Sequence, residues 1–483
     1  MKRRLLASIL SLVMILSLLP VTAMANENGD TGEPDAYTAG SNDSVEGGSG
    51  EDTTAYTLSG TCGDPAVNNG EDVTWALTAN NDGTYTLTIS GAGAMKDFGP
   101  SQLSDGTWSS DAPWYSVLTV DSKTKRYPVT ALVIGDEITH IGGAAFASLA
   151  IPEISFKQNV TSYGAYAYIA CTAATTVDWT NFSLNTIPEG LLYGCTALRT
   201  FKNGGTDSAD YALMLPDTVK GIGISAFLEC KSLQSADLTN VTKSIALNAF
   251  GSCTALKQVS LPQSVDKSCV DSYFGIGCFS STALETITLP DNVTAISDNM
   301  FNRCGLLTDV KTTSSIKTIG KTAFFCDQDS VGKTETPWSS FVGTNLDLSG
   351  VTTIGESAFN SCSSLKSVLH LDSIQNLGER ALGDCSSVQV VDMSKAGNSI
   401  TFASNAFTLL GDNSVIYVAS NLNSLTDLYE GVYSKDKTAL AITNGGTFPE
   451  GTVFESGKLA TPVKGNSVFA GWYENADFSG SRV

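Results

Sequence analysis

The sequence predicts a β-rich repeat solenoid, about eleven units of short strands and helical turns behind a β-rich N-terminal cap. Three observations predict it. The first is a phrase, Ile354-Gly355-Glu356-Ser357-Ala358-Phe359 followed by Cys362 and Leu365, which returns as Ile222-Gly223 with Ala226-Phe227, Cys230 and Leu233. The second is its period: Phe227 and Phe250 stand 23 residues apart, as do Phe359 and Leu382. Self-similarity of that length marks a stack of supersecondary units. The third is the half-unit that follows, as in Leu256-Lys257-Gln258-Val259-Ser260-Leu261-Pro262 and Leu284 to Pro290. Its apolar residues alternate, which describes a short strand with one buried face. A proline ends it, because proline has no N–H to offer a ladder.

A Val-x-x-Ile step (Val293 to Ile296, Val351 to Ile354) leads into the turn that points Ala and Phe inward. One such unit cannot bury its apolar face alone, whereas stacked neighbours bury a continuous core. The column aromatic runs Phe146, Tyr168, Leu192, Phe227, Phe250, Phe279, Phe301, Phe324, Phe359, Leu382 and Phe407. The phrase and its strand resemble the BspA-like class of leucine-rich repeats found in bacterial surface proteins. The resemblance covers residues 131–418 and implies a binding or adhesive role without naming a ligand. Some units depart from the pattern: Thr282 replaces Cys after Phe279, and Cys326 comes one place early. Longer units around Asn203–Ala212, Asp266–Gly277 and Asp327–Phe341 carry insertions, which a stack accommodates as loops.

The flanking segments follow different rules. Met1-Lys2-Arg3-Arg4, an apolar run from Leu5 to Leu19 and Ala23-Met24-Ala25 read as a signal peptide over 1–25. That run is short for a bilayer span, so no membrane segment is expected after cleavage. Residues 26–55 hold acids, Gly, Ser and Thr with no Lys or Arg, the composition of a disordered linker. Over 56–130 the alternating stretches Val73 to Thr78 and Thr84 to Ile89 flank Asn80-Asn81-Asp82-Gly83, a hairpin signal. With Ser90 to Met95 and Ala112-Pro113-Trp114-Tyr115 they form the expected N-terminal cap, which covers an otherwise bare end. Residues 419–438 are expected to form a polar helical C-terminal cap. Over 439–483, Phe469-Ala470-Gly471-Trp472-Tyr473 resembles a partial Listeria–Bacteroides repeat of the internalin B type.

Eleven cysteines are an odd number, six of them in one repeat column: Cys195, Cys230, Cys253, Cys304, Cys362 and Cys385. A regular column reads as small buried residues with free thiols. The alternative is a disulfide framework, with Cys269–Cys278 as its first pair. No metal or other cofactor is expected, because the chain has two histidines and no recurring Cys-x-x-Cys. A net charge of −21 argues against nucleic acid and anionic membranes, both of which need clustered cations.

No nucleophile elbow or zinc-protease helix is present. His140 reads as a solvated turn residue. The outward positions of the repeat strands read Asp178, Asp237, Ser260, Thr288, Lys311, Asp347, His370 and Asp392. As a curved face they suit an extended extracellular protein or glycan partner. Asp178, Trp179, Asp237, Asp347, His370 and Asp392 are the candidate binding residues, with Trp179 and the insertion around Trp338 as aromatic anchors. The same row is also what a plain polar sheet face would show, on which reading truncating Asp237 costs almost nothing. The reading is therefore a secreted or surface-attached, non-catalytic recognition protein. A passive surface spacer is the alternative, and a carbohydrate-active enzyme, which would need converging acids, the lesser one.

Overall fold

Each repeat forms one coil, and a coil cannot satisfy its own backbone: the hydrogen bonds that hold it run to the coils above and below. The computed structural model describes residues 58–104, 106–115, 118–120, 123–125, 128–326, 339–396, 400–403, 405–408, 410, 414–418, 432–433 and 439–441. The expected signal peptide, acidic linker, Trp338 and almost all of 419–483 lie outside them. Three ladders run along the stack. The first joins the predicted strands in parallel, Glu153–Ser155 to Thr176–Asp178 to Thr200–Asn203, and later Val368–His370 to Val390–Met393 to Val415–Val418. The second joins the Ile-Gly steps, as in Thr318–Ile319 to Thr353–Ile354 to Asn376–Leu377.

The third ladder lies where helical turns were expected. Among the described residues the helical pieces are two 3-10 segments, Asn68–Gly70 and Pro113–Tyr115, both in the cap. Around each column aromatic the chain makes consecutive tight turns. The residues two before and two after it are left-handed: Ala144 and Ser148 around Phe146, Asn248 and Ser252 around Phe250, Ser357 and Ser361 around Phe359. Left-handed residues cannot continue a right-handed helix. Alternate N–H groups turn to the next coil: Ala144 donates to Ala165 O at 2.9 Å, Phe146 to Ala167 O at 2.8 Å, Ser148 to Ile169 O at 2.7 Å. The amides between them close turns within their own coil, Ala145 to Gly142 O and Ala147 to Ala144 O.

The columns fill the space between ladders. Phe250 lies between Phe227 and Phe279, with ring centroids 5.1 and 5.7 Å away and planes nearly parallel. All eleven cysteines are free. Those of the column are buried and donate S–H to the carbonyl of the preceding coil's column residue, Cys195 to Tyr168 O at 3.3 Å and Cys253 to Phe227 O at 3.1 Å. Burial pushes the Cys253 thiol up to about 12, so it stays protonated as that bond requires. The glycine after Ile serves proximity: a Cβ on Gly355 would come within 2.7 Å of Lys321 N in the coil below, and one on Gly142 within 1.8 Å of Lys96 O. The insertion ending at Phe341 feeds the core, setting that ring 4.5 Å from Phe324.

The ends show why caps exist. The first coil presents three carbonyls, Gly143, Ala145 and Ala147, that within the stack would accept N–H groups from a preceding coil. Here Phe98 N–H takes Gly143 at 2.9 Å, Trp114 Nε1–H takes Ala145 at 2.9 Å and the Tyr115 hydroxyl takes Ala147. The cap strand Tyr85–Gly91 pairs in parallel with Val129–Ile134, and Gly93–Ala94 with Ile138–Ile141, so both sheets continue into the cap. The Trp114 ring extends the aromatic column, packed against Phe146, Phe98 and Trp75. At the far end Ala439–Ala441 runs antiparallel to Val415–Val418, and Val432–Tyr433 pairs with it. That short strand lies within the span where a helical cap was expected.

Two substitutions test this scheme. Phe250→Ala should cost about 3–5 kcal/mol in urea unfolding, because it empties a layer shared by three coils; a loss under about 1 would contradict the stacked column. Trp114→Phe keeps a ring but strands the Ala145 carbonyl and should cost about 2 kcal/mol. Hydrogen exchange should then speed up first at the amides of Ala144 and Phe146, and unchanged exchange there would contradict the capping role.

Candidate functional site

The predicted outward row exists. Register sets Ser155 beside Asp178 beside Lys202, Met214 beside Asp237 beside Ser260, Thr288 beside Lys311, and His370 beside Asp392 beside Tyr417. Asp347 holds the equivalent place after Lys311, outside a regular strand, with its N–H on Thr312 Oγ1 at 2.8 Å. Residues between these positions, such as Val177, Val310 and Leu369, are buried. Strand alternation explains both faces.

The four acids share a local task that the row alone does not reveal. Asp178 accepts from Thr180 N–H at 3.0 Å and its hydroxyl at 2.6 Å, and Asp237 from Thr239 at 3.0 and 2.7 Å. Asp347 accepts from Ser349 N–H and hydroxyl, and Asp392 from Ser394 N–H at 2.9 Å. Each is an Asx turn that occupies the N–H two residues on. Where that residue is Pro216, Pro262 or Pro290 there is no N–H to occupy, and the row holds Met214, Ser260 or Thr288 instead. The Asp-x-Thr/Ser signature was present in the sequence, so these carboxylates are turn-formers first.

Trp179 is corrected from surface anchor to core. It is 0% exposed and stacks on Phe156 at 5.0 Å, with Phe182 edge-on at 5.1 Å. It follows Asp178 in an alternating strand, the place Leu238, Leu348 and Met393 fill in other coils, all of them buried. The aromatic identity had outweighed the period.

Two of the row's charges face near neighbours. His370 Nδ1 lies 3.3 Å from Asp392 Oδ2, and Lys202 Nζ 2.9 Å from Glu153. Burial pushes the Asp392 carboxyl up, but the Ser394 hydrogen bonds and His370 outweigh it, and the group ends below the ordinary carboxylate range. Lys366, reaching the Leu346 carbonyl at 3.0 Å, is lowered by burial, against which Asp309 and Asp347 pull. His140 is a strand residue of the second ladder, Nδ1 at 2.7 Å from Ser162 Oγ and Nε2 at 3.4 Å from Asp97. The two histidines thus sit on different ladders, each engaged locally. Among the described residues no group of His, Cys, Asp or Glu is placed to hold a metal ion, and no helix is long and apolar enough to cross a membrane.

The fold also forms a cleft that sequence reasoning missed. The cap hairpin Pro100–Gln102 and Trp108–Ser110 overhangs the third ladder, enclosing a cleft with Ala170, Tyr193, Gly194 and Glu229. Its walls come from segments far apart in the chain, so no local pattern announces it.

Residues 124–208, 211–330 and 339–434 match the family described as BspA type leucine-rich repeat region, with six copies. No curated protein matches the chain. Among solved structures it is similar to a leucine-rich cell surface protein from Faecalibacterium prausnitzii, with 18% identity, 74% of this chain and 97% of that one covered, and a TM-score of 0.32. A leucine-rich repeat protein from Eubacterium ventriosum also matches, with 18% identity, 73% and 95% coverage and a TM-score of 0.36.

The turn-forming role has a measurable signature. Asp237→Ala should cost about 1 kcal/mol, the worth of the lost turn bonds, while Asp237→Asn, which keeps the acceptor oxygen, should cost less than about 0.5. Equal unfolding midpoints for the two variants would contradict it.

Proposed function

The chain belongs to the BspA-type leucine-rich repeat family, and from that premise we propose that it is an extracellular recognition protein which binds a protein or glycan partner without catalysis. The observation that carries the reading is the outward row, mixed in charge and held in register within each of four successive sheet segments. A surface of that kind offers area for an extended partner where a small metabolite needs an enclosed pocket. Asp178, Asp237, Asp347, His370 and Asp392 are the binding candidates on it, each acid with one oxygen committed to its turn. The export signal read over 1–25 and the family's occurrence in bacterial surface proteins support placement outside the cell.

A passive spacer is the second reading, and one observation favours it: the Asx turns account for every acid of the row without a ligand. Catalysis gains no support, since these acids are spread along the row and a glycosidase needs two carboxylates converging on one bond.

The test is a binding screen of the full chain against extracellular-matrix proteins and neutral glycans at low and high salt. The triple variant Asp237→Asn, Asp347→Asn and Asp392→Asn keeps the turns and removes three charges. Saturable binding that falls at least about tenfold in this variant establishes recognition on the strand face. Absence of any binding leaves the spacer.

A further inference from the structure

The cleft under the cap hairpin lies on a different ladder from the outward row. It exists because of a local run of small residues. Two places after the column aromatic, the first three coils carry Ser148, Ala170 and Gly194, all left-handed, and the fourth carries Glu229. Later coils put Ser252, Ser281, Arg303, Ser361 and Asp384 there. The hairpin reaches across the small positions and is pinned by the Ser148 hydroxyl donating to Trp108 O at 2.6 Å. What remains open is a cleft of about 630 Å³, within the roughly 300–1,000 Å³ of small-ligand sites.

Its chemistry narrows the ligand. The Trp108 ring, half-buried, meets Tyr193 edge-on at 5.6 Å and forms one wall. Gln102, Thr172, Thr196 and Glu229 supply an amide, two hydroxyls and a carboxylate around it. The described lining residues include no Lys, Arg or His, so an anion such as a phosphate would meet no counter-charge and one repelling carboxylate. Glu229 already faces Lys231 at 3.4 Å, which weakens its call on a cationic peptide. A wholly apolar ligand would strip water from the four polar side chains and return nothing. A ligand with flat C–H faces and many neutral hydroxyls matches every wall: ring against ring, hydroxyls donating to the carboxylate and exchanging bonds with amide and hydroxyls. We propose that this cleft binds a short stretch of neutral glycan. It does not rest on the strand-face reading, and the two can fail separately.

The experiment titrates the full chain with chitotetraose, mannotetraose, cellotetraose and N-acetyllactosamine, by calorimetry and tryptophan fluorescence. At least one should bind saturably and shift the emission. Trp108→Ala and Glu229→Gln should each weaken that binding at least about tenfold, as expected for loss of a stacking wall or a charged acceptor. The triple strand-face Asn variant should bind as the wild type does. Should Trp108→Ala not fold, Glu229→Gln and Thr196→Val carry the comparison, with unchanged unfolding midpoints as the control. Saturation by none of the four, or binding that survives the cleft variants or is lost in the strand-face variant, overturns the proposal.

Discussion

The structure depends on a backbone rule: half of the N–H groups in each turn segment point away from their own coil. Left-handed residues on both sides of the column aromatic aim alternate amides at the next coil, and those bonds exist only if that coil is present. A single left-handed non-glycine residue is costly, by about 1–2 kcal/mol. It persists here because the ladder and the buried aromatic over-determine it. The stack therefore has direction. Along the turn ladder each coil hands donors forward and presents acceptors backward, so its start needs donors brought from elsewhere. Phe98, Trp114 and Tyr115 bring three, matched to the three open carbonyls.

Much of this was legible. Period and column gave the coil number, the Phe stack and the buried thiols, because each column repeats a single environment and the repeats average out noise. The Ala-Pro-Trp-Tyr stretch could be assigned to the cap, though its match to Gly143, Ala145 and Ala147 could not, since that depends on which carbonyls the first coil leaves open. The expected helical turn failed for a physical reason. Ser, Asn and Glu at the left-handed positions are common in helices too, and a four-residue apolar spacing fits one helical turn as well as two tight turns. Glycine stands at these positions in two coils, at Gly190 and Gly194 around Leu192 and at Gly277 before Phe279.

The site was legible as a surface, while the local bonds of its acids were not. The row was located correctly because alternation fixes which residues face out. Its acids suggested a ligand, yet the partner of each lay two residues along the chain, at Thr180, Thr239, Ser349 and Ser394. Trp179 shows the opposite error, where a residue type associated with binding was allowed to override a period that put it inside. The cleft could not be read at all, because Trp108 and Tyr193 meet only once the hairpin has folded across three coils.

These assignments divide the polar surface into two kinds of residue. Acids that end strands are held by the fold and would be kept in a protein with no ligand whatever. Outward residues in coils that end with proline owe nothing to the turn, and Ser260 and Thr288 are free to answer to a partner, as is Lys311 between them and Asp347. The same holds on the third ladder. The left-handed place two after the column aromatic takes Arg303 and Asp384 in some later coils and Ser252, Ser281 and Ser361 in others, so the backbone does not dictate its side chain. Residue choice is therefore least constrained by the fold at Ser260, Thr288 and Lys311 on the strand face and at these third-ladder positions.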